Sequence, residues 1–210
     1  MLKLNCSSCG AEVIFKSKSS VFGVCSFCKS TLVRQNMNLE VLGKMADLPD
    51  DISPLQIGSM GQYENNSFEI IGRVKISWEN GFWTEWYISL KDGREGWLAE
   101  AQGSYMINFP YEDISKVPSV DKIKVGQNLE LIKGIKFDVD DIKKGTCIGS
   151  EGELPMTATK GRKNTSVDLS AESSIFACID YSNEGIKLYT GKYMEFDNLK
   201  LSNLRQIDGW

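Results

Sequence analysis

Hydrophobic and polar residues alternate with a period of two along most of the chain, and sustained helical periodicity is nearly absent. That is the pattern of half-buried strands, not of amphipathic helices. Phe68 to Ile76 reads as a strand with Gly72 marking a bulge, Phe82 to Leu90 as a second, and Gly96 to Glu100 as a third. Asp92-Gly93 is the turn between the last two, and a two-residue turn of this kind sets Ile88 opposite Trp97 and Tyr87 opposite Leu98. One face of the hairpin then carries Trp86, Ile88, Leu90, Trp97 and Ala99, and the other Trp83, Glu85, Tyr87, Ser89 and Leu98. Both faces are partly apolar, which suits a curled sheet or small barrel. On this register Trp86 and Trp97 are expected inside, and Trp83, beside Tyr87, on a ligand or partner surface. If enclosed, Trp78, Trp83, Trp86, Trp97 and Trp210 each bury ~150–250 Å².

The pattern recurs. The stretch from Ile57, IGSMGQYENNSFEIIGRVKI, is similar to VGQNLELIKGIKFDVDDI from Val125, and GSYMINF from Gly103 is echoed by GKYMEF from Gly191. A hairpin precedes each echo, 82–100 in the first half and Ile175 to Tyr189 in the second. The widening offset predicts an insertion around Ser150 to Ala171. The expected architecture is mainly β: a duplicated antiparallel domain over 54–210, barrel- or sandwich-like. Asp138, Asp140 and Asp141 read as a solvated turn, because Ile142 and Gly149 break the calcium-loop pattern. Ahead of the domain, Leu39, Leu42, Met45 and Ala46 have helical spacing, predicting a short helix within a linker over 37–53 that ends near Pro49.

Residues 1–36 have their own chemistry. Cys6-x-x-Cys9 and Cys25-x-x-Cys28 are separated by a strand-like Glu12 to Lys16, a turn-like Ser17 to Ser20 and a returning Val21 to Val24. Each pair folds into a knuckle that aims two sulfurs at one point, and four thiolates at ~2.3 Å suit a tetrahedral zinc ion. Gly10 supplies the positive φ a knuckle needs. So small a unit draws its folding free energy from the metal, and the segment resembles the zinc-ribbon family, in which Zn2+ is structural. Cys147 and Cys178 are distant from any second pair and read as small core hydrophobes.

Composition narrows the function. Hydrophobic residues are 41% and charged residues 25% of the 210, values of a globular chain. There is no apolar run long enough to span a membrane and no leader-like segment before Cys6, so a cytoplasmic address is expected. Histidine is absent, which removes His-based triads and His-metal centres, so an enzyme is not the expectation. The formal charge is −4. Lys3, Lys16, Lys18, Lys29 and Arg34 against Glu12 make residues 1–36 positive, yet four zinc-bound thiolates would reduce that excess, and the rest of the chain is acidic. Nucleic acid is therefore a poor partner. Glu85, between Trp83 and Trp86, is either a desolvated carboxylate able to act as a base or hold a cation, or a surface group paired with Arg94 or Lys75. Glu151 and Glu153, flanking Gly152 ahead of Leu154-Pro155, are either candidates for a cation or polyamine or the polar residues of a sharply bent inserted loop.

Phe68 to Val74, Trp83, Glu85-Trp86-Tyr87, Asp92-Gly93, Trp97-Leu98, Glu151 to Pro155 and Tyr189 to Tyr193 together resemble a bacterial family, domain of unknown function 4178, over about residues 55 to 205. The resemblance implies no activity. It implies company with membrane-stress proteins and with polyamine-related enzymes. The expectation is a non-enzymatic, zinc-binding adaptor whose partner is another protein. The alternative is a receptor or enzyme for a cationic, polyamine-like ligand using Trp83, Glu85, Tyr87, Glu151 and Glu153. A second alternative is nucleic-acid binding through the ribbon.

Overall fold

The computed structural model describes residues 1–45, 48, 53–101 and 103–207, so Ala46, Pro49 and Trp210, named above, lie outside the described residues. The protein is mainly β. Strands β1 (Leu2–Asn5) and β2 (Glu12–Phe15) form one hairpin, and β3 (Phe22–Val24), β4 (Ser30–Gln35) and β5 (Asn38–Lys44) form a meander. Two five-strand series follow: β6 (Met60–Tyr63), β7 (Asn66–Trp78), β8 (Gly81–Leu90), β9 (Glu95–Ala101) and β10 (Ser104–Tyr111); then β11 (Asn128–Ile132), β12 (Ile135–Leu154), β13 (Lys163–Ala171), β14 (Ile175–Ser182) and β15 (Gly185–Met194). Among the described residues no helix is long and apolar enough to cross a membrane.

Eight antiparallel strands close a ring in the order β7-β8-β9-β10-β15-β14-β13-β12, with β12 pairing back onto β7. The two series meet themselves at β7–β12 and β10–β15, and β6 pairs with β7 as β11 pairs with β12. A bulge lies between Ile70 and Gly72 on β7 and another between Val139 and Asp141 on β12. An extra residue exchanges the two faces of a strand. Phe68 and Ile70 therefore point one way, while Val74 and Ile76 pack in the opposite cluster.

The apolar cores sit mainly on the outside of the ring and are covered by the chain itself. Trp86, Ile88, Leu98 and Ile107 pack beneath Leu55 and Leu199, and Val139, Val167, Leu169 and Ile179 beneath Ile123 and Leu131. A third cluster joins Phe22 and Val24 of the N-terminal meander to Val74, Tyr87, Trp97 and Leu154 of the ring. The backbone is continuous there too: β12 runs past the ring, and Glu153 and Leu154 pair with Gly23 and Phe22 of β3. Gly72 and Gly152 pair where β12 leaves the ring. A Cβ on Gly72 would stand 2.0 Å from the Glu153 carbonyl oxygen, so this departure requires glycine.

Four expectations change. Where the helix is predicted to begin, residues 39–44 lie in strand β5: Asn36, at φ 55°, turns the chain back on β4, Leu39 is buried in the ribbon core, and Leu42 is 51% exposed. The Asp92-Gly93 turn is one residue longer than a two-residue hairpin, because only Gly93 has positive φ and Leu90 N–H bonds Arg94 O. Trp97 therefore faces Tyr87, and Leu98 faces Trp86, so the two tryptophans expected together lie on opposite sides of the sheet. The Asp138 to Asp141 turn is part of strand β12, and the predicted insertion contains the end of β12 and all of β13. Finally, Gly103–Phe109 and Gly191–Phe196 do not occupy matching places in the two series. The first opens β10, and the second begins in β15, where Tyr193 and Met194 pair with Met106 and Tyr105.

Candidate metal centre and ligand cavity

The two N-terminal knuckles are built alike. Gly10 N–H bonds Cys6 O and Cys6 N–H bonds Ala11 O; Lys29 N–H bonds Cys25 O and Cys25 N–H bonds Ser30 O, all at 2.8–2.9 Å. Each loop closes through a left-handed residue, Gly10 at φ 78° and Lys29 at φ 59°. Glycine was legible in the sequence; the lysine was not, since its Cβ usually argues against that conformation. The loops bring the sulfurs of Cys6, Cys9, Cys25 and Cys28 within 4.8 Å of one another. Cys6 and Cys28 are 3.8 Å apart, as are Cys9 and Cys25. Four ligands at ~2.3 Å around a tetrahedral ion stand ~3.8 Å apart, so the site fits a metal of zinc's size and geometry. The Ser30 hydroxyl and N–H hold Cys28 down to about 6. At Cys9 the Ala11 backbone bond lowers the pKa, but desolvation and the three neighbouring sulfurs outweigh it and push it up to about 12. Four thiolates share this point only with a cation among them.

Inside the ring lies a cavity of about 350 Å³, the scale of a small-ligand pocket and of an eight-stranded barrel that holds one small molecule. Trp83, Trp97, Phe176 and Tyr189 supply aromatic wall, while Glu85, Asp168 and Asp180 supply carboxylates. The lining reaches Trp78 and the 56%-exposed Phe82 beside the β7–β8 turn. These positions follow from alternation: Trp83 and Glu85 project inward from β8, Ser166 and Asp168 from β13, Cys178 and Asp180 from β14.

Two of the three deep carboxylates have cations. Asp168 accepts from Lys143 Nζ at 3.2 Å, and Asp180 faces Arg162 Nη2 at 3.8 Å while accepting from Asn164 Nδ2 at 2.7 Å. Glu85 accepts only the Trp83 indole N–H, at 2.9 Å, and among the described residues no cation lies within ion-pair distance of it. It is half-buried and lines the cavity. Desolvation pushes its carboxyl up to about 7; the Trp83 bond opposes this, and the charges of Asp180 and Asp168 reinforce it. Arg94 pairs instead with Asp92, and Lys75 lies over Phe82.

Other candidates separate from this group. The Tyr87 hydroxyl donates to Glu95 at 2.7 Å, close to Ser19 of the ribbon, and its ring packs on Trp97 at 5.0 Å. Glu151 pairs with Arg73 at 2.9 Å. Glu153 is buried and accepts the backbone N–H groups of Lys16 at 2.7 Å and Ser17 at 3.1 Å. Tyr87, Glu151 and Glu153 thus serve ribbon and wall, while Trp83 and Glu85 face the cavity. Asp168 and Asp180 were not singled out, because they project inward from strands that the sequence pattern left unassigned or read as core; Arg162, just ahead of β13, and Asn164 and Ser166 on it belong to GRKNTS, a stretch that lacks the frame of a phosphate loop and gave no other signal. Cys178, read as a core hydrophobe, stands on the cavity wall, 3.2 Å from Ser166 Oγ.

No curated protein and no solved structure matches the chain. Residues 56–196, which span the whole ring, match the model of one family, and the chain belongs to that family: Domain of unknown function (DUF4178).

Proposed function

We propose that the protein is a binding protein whose ring encloses a small organic cation and whose four cysteines hold a structural Zn2+. The observation that carries the reading is Glu85: a carboxylate in an aromatic-lined cavity with no cation within ion-pair distance among the described residues. A half-buried carboxylate set against this wall without a cation is partly desolvated, and a bound ammonium is the partner it lacks. Trp83, Trp97 and Tyr189 add faces that attract a cation further. The matching connectivity and matching bulges of β6–β10 and β11–β15 support a duplication, in which the cavity would lie between two related halves. The ribbon caps the assembly through β3–β12 and does not reach the deep carboxylates. A thiolate zinc site persists in a reducing compartment, which supports a cytoplasmic address.

Calorimetric titration with alkyl, aryl and polyamine cations, each beside its neutral alcohol analogue, tests this. Heat from amines alone is expected. No binding by any amine, or equal binding of the alcohols, removes the reading.

A second reading, the protein adaptor, has Phe27 in its favour: it projects between Cys25 and Cys28 with 80% of its surface exposed. A Phe27→Ala variant that keeps its zinc but loses a defined partner held by the wild type supports it, and an unchanged partner set removes it.

A further inference from the structure

The charges inside the ring define the ligand more narrowly than "cation", and this step rests on the cation-binding role just proposed. Asp168 shares Lys143 with Asp141, whose side chain is 45% exposed and screened by solvent. Asp180 accepts from Asn164 Nδ2 at 2.7 Å and lies 3.8 Å from Arg162 Nη2, an ion pair without a hydrogen bond. Glu100, on the opposite face of β9, is satisfied by Ser53 Oγ at 2.6 Å, Trp86 Nε1 at 3.0 Å and the Tyr105 hydroxyl at 3.3 Å. That leaves one cavity carboxylate with neither a cation nor a full set of donors. The remaining wall near it is apolar or aromatic, including Val74, Ile76, Ala99 and Met156.

We infer that the cavity selects a monocation, a primary amine carrying a compact aromatic or branched apolar body, over diamines and polyamines. One ammonium meets Glu85 and its body displaces nothing charged. A second or third ammonium on a flexible chain must lie against the apolar wall or approach Lys143 and Arg162, losing hydration without a partner carboxylate. A cavity of about 350 Å³ also favours a compact body over an extended chain.

Binding also requires Glu85 to be ionised. The titratable groups facing it are Asp168 on β13, Asp180 and Cys178 on β14, Arg162 ahead of β13, Cys147 on β12 and Tyr189 on β15. Their fields are dominated by carboxylates, which favour a protonated Glu85 in the free protein. An arriving ammonium reverses that balance and expels the proton.

The test is isothermal titration of the full chain with phenethylamine, 2-phenylethanol, putrescine and spermidine, for the wild type and Glu85→Gln. Phenethylamine is expected to bind about tenfold or more tightly than spermidine, and to weaken by a similar factor in the variant. In wild-type protein at pH 6.5, repeated in buffers of different ionisation heat, its binding should release protons, a readout that stands even if the variant does not fold. Tighter binding of spermidine or putrescine overturns the monocation inference while leaving a cation receptor. Equal binding of 2-phenylethanol, or no binding by any amine, overturns the receptor reading as well. Proton release of zero overturns the role given to Glu85.

Discussion

The Glu153 carboxylate on β12 accepts the backbone N–H groups of Lys16 and Ser17 at 2.7 and 3.1 Å, so one buried side chain of the ring satisfies two donors of the ribbon. Desolvation raises its pKa and the two N–H bonds oppose that rise. The bond pair lies where β12 leaves the ring to join β3, which makes Glu153 a fastener between the metal site and the cavity wall.

Glu153→Ala should therefore leave two ribbon donors without a partner and cost about 2–3 kcal/mol in urea denaturation. Glu153→Gln, which keeps an acceptor, should cost distinctly less. Equal losses in the two variants would mean that the charged carboxylate with both its oxygens, and not an acceptor as such, is what Glu153 contributes.

The metal site makes a separate prediction. Freshly prepared reduced protein should carry a single equivalent of zinc, and Cys9→Ser should lower it sharply. Removing the ion with a chelator should abolish amide protection in β1, β2 and both knuckles, since the ribbon core holds only a few residues such as Phe15 and Leu32. Protection in β8 and β14, inside the ring, should persist. Protection of the ribbon that survives metal removal would contradict the structural role of the ion.

Glu85 predicts an unusual pH dependence of stability. Its carboxyl sits at about 7 in the folded chain against 4.5 for the ordinary group, so between those values the folded state holds a proton that the unfolded state has released. Stability from this group is fully present below about 4.5 and is lost as pH rises to about 7, by about 3 kcal/mol in all. Glu85→Gln has no such loss. The difference between variant and wild type, measured by urea denaturation from pH 4 to 8, should grow through that window in favour of the variant. Parallel curves would show that Glu85 ionises normally.

Much of the ring was legible because its outer face is apolar and alternates. Phe68 to Ile76, Phe82 to Leu90 and Ile175 to Tyr181 all lie within strands. β13 was not legible, because Asn164, Ser166 and Asp168 point into a polar cavity, and a strand with polar residues inside lacks the usual contrast between faces. The hairpin register failed by one residue at Gly93, and that slip moved Trp97 from one face to the other. The four-cysteine cluster was readable from spacing alone, since both knuckles are local. The cavity was readable only at Trp83 and Glu85. Its other carboxylates come from strands far along the chain and meet Glu85 only once β7 and β12 close the ring.

The most direct test is to follow the Glu85 side-chain carboxyl carbon by NMR across pH, with and without saturating phenethylamine. The account predicts a midpoint near 7 in the free protein, falling by about one unit or more when the amine is bound. A midpoint that stays in place with ligand present, or one already in the ordinary carboxylate range in the free protein, would contradict the claim that Glu85 waits in the ring for a cation.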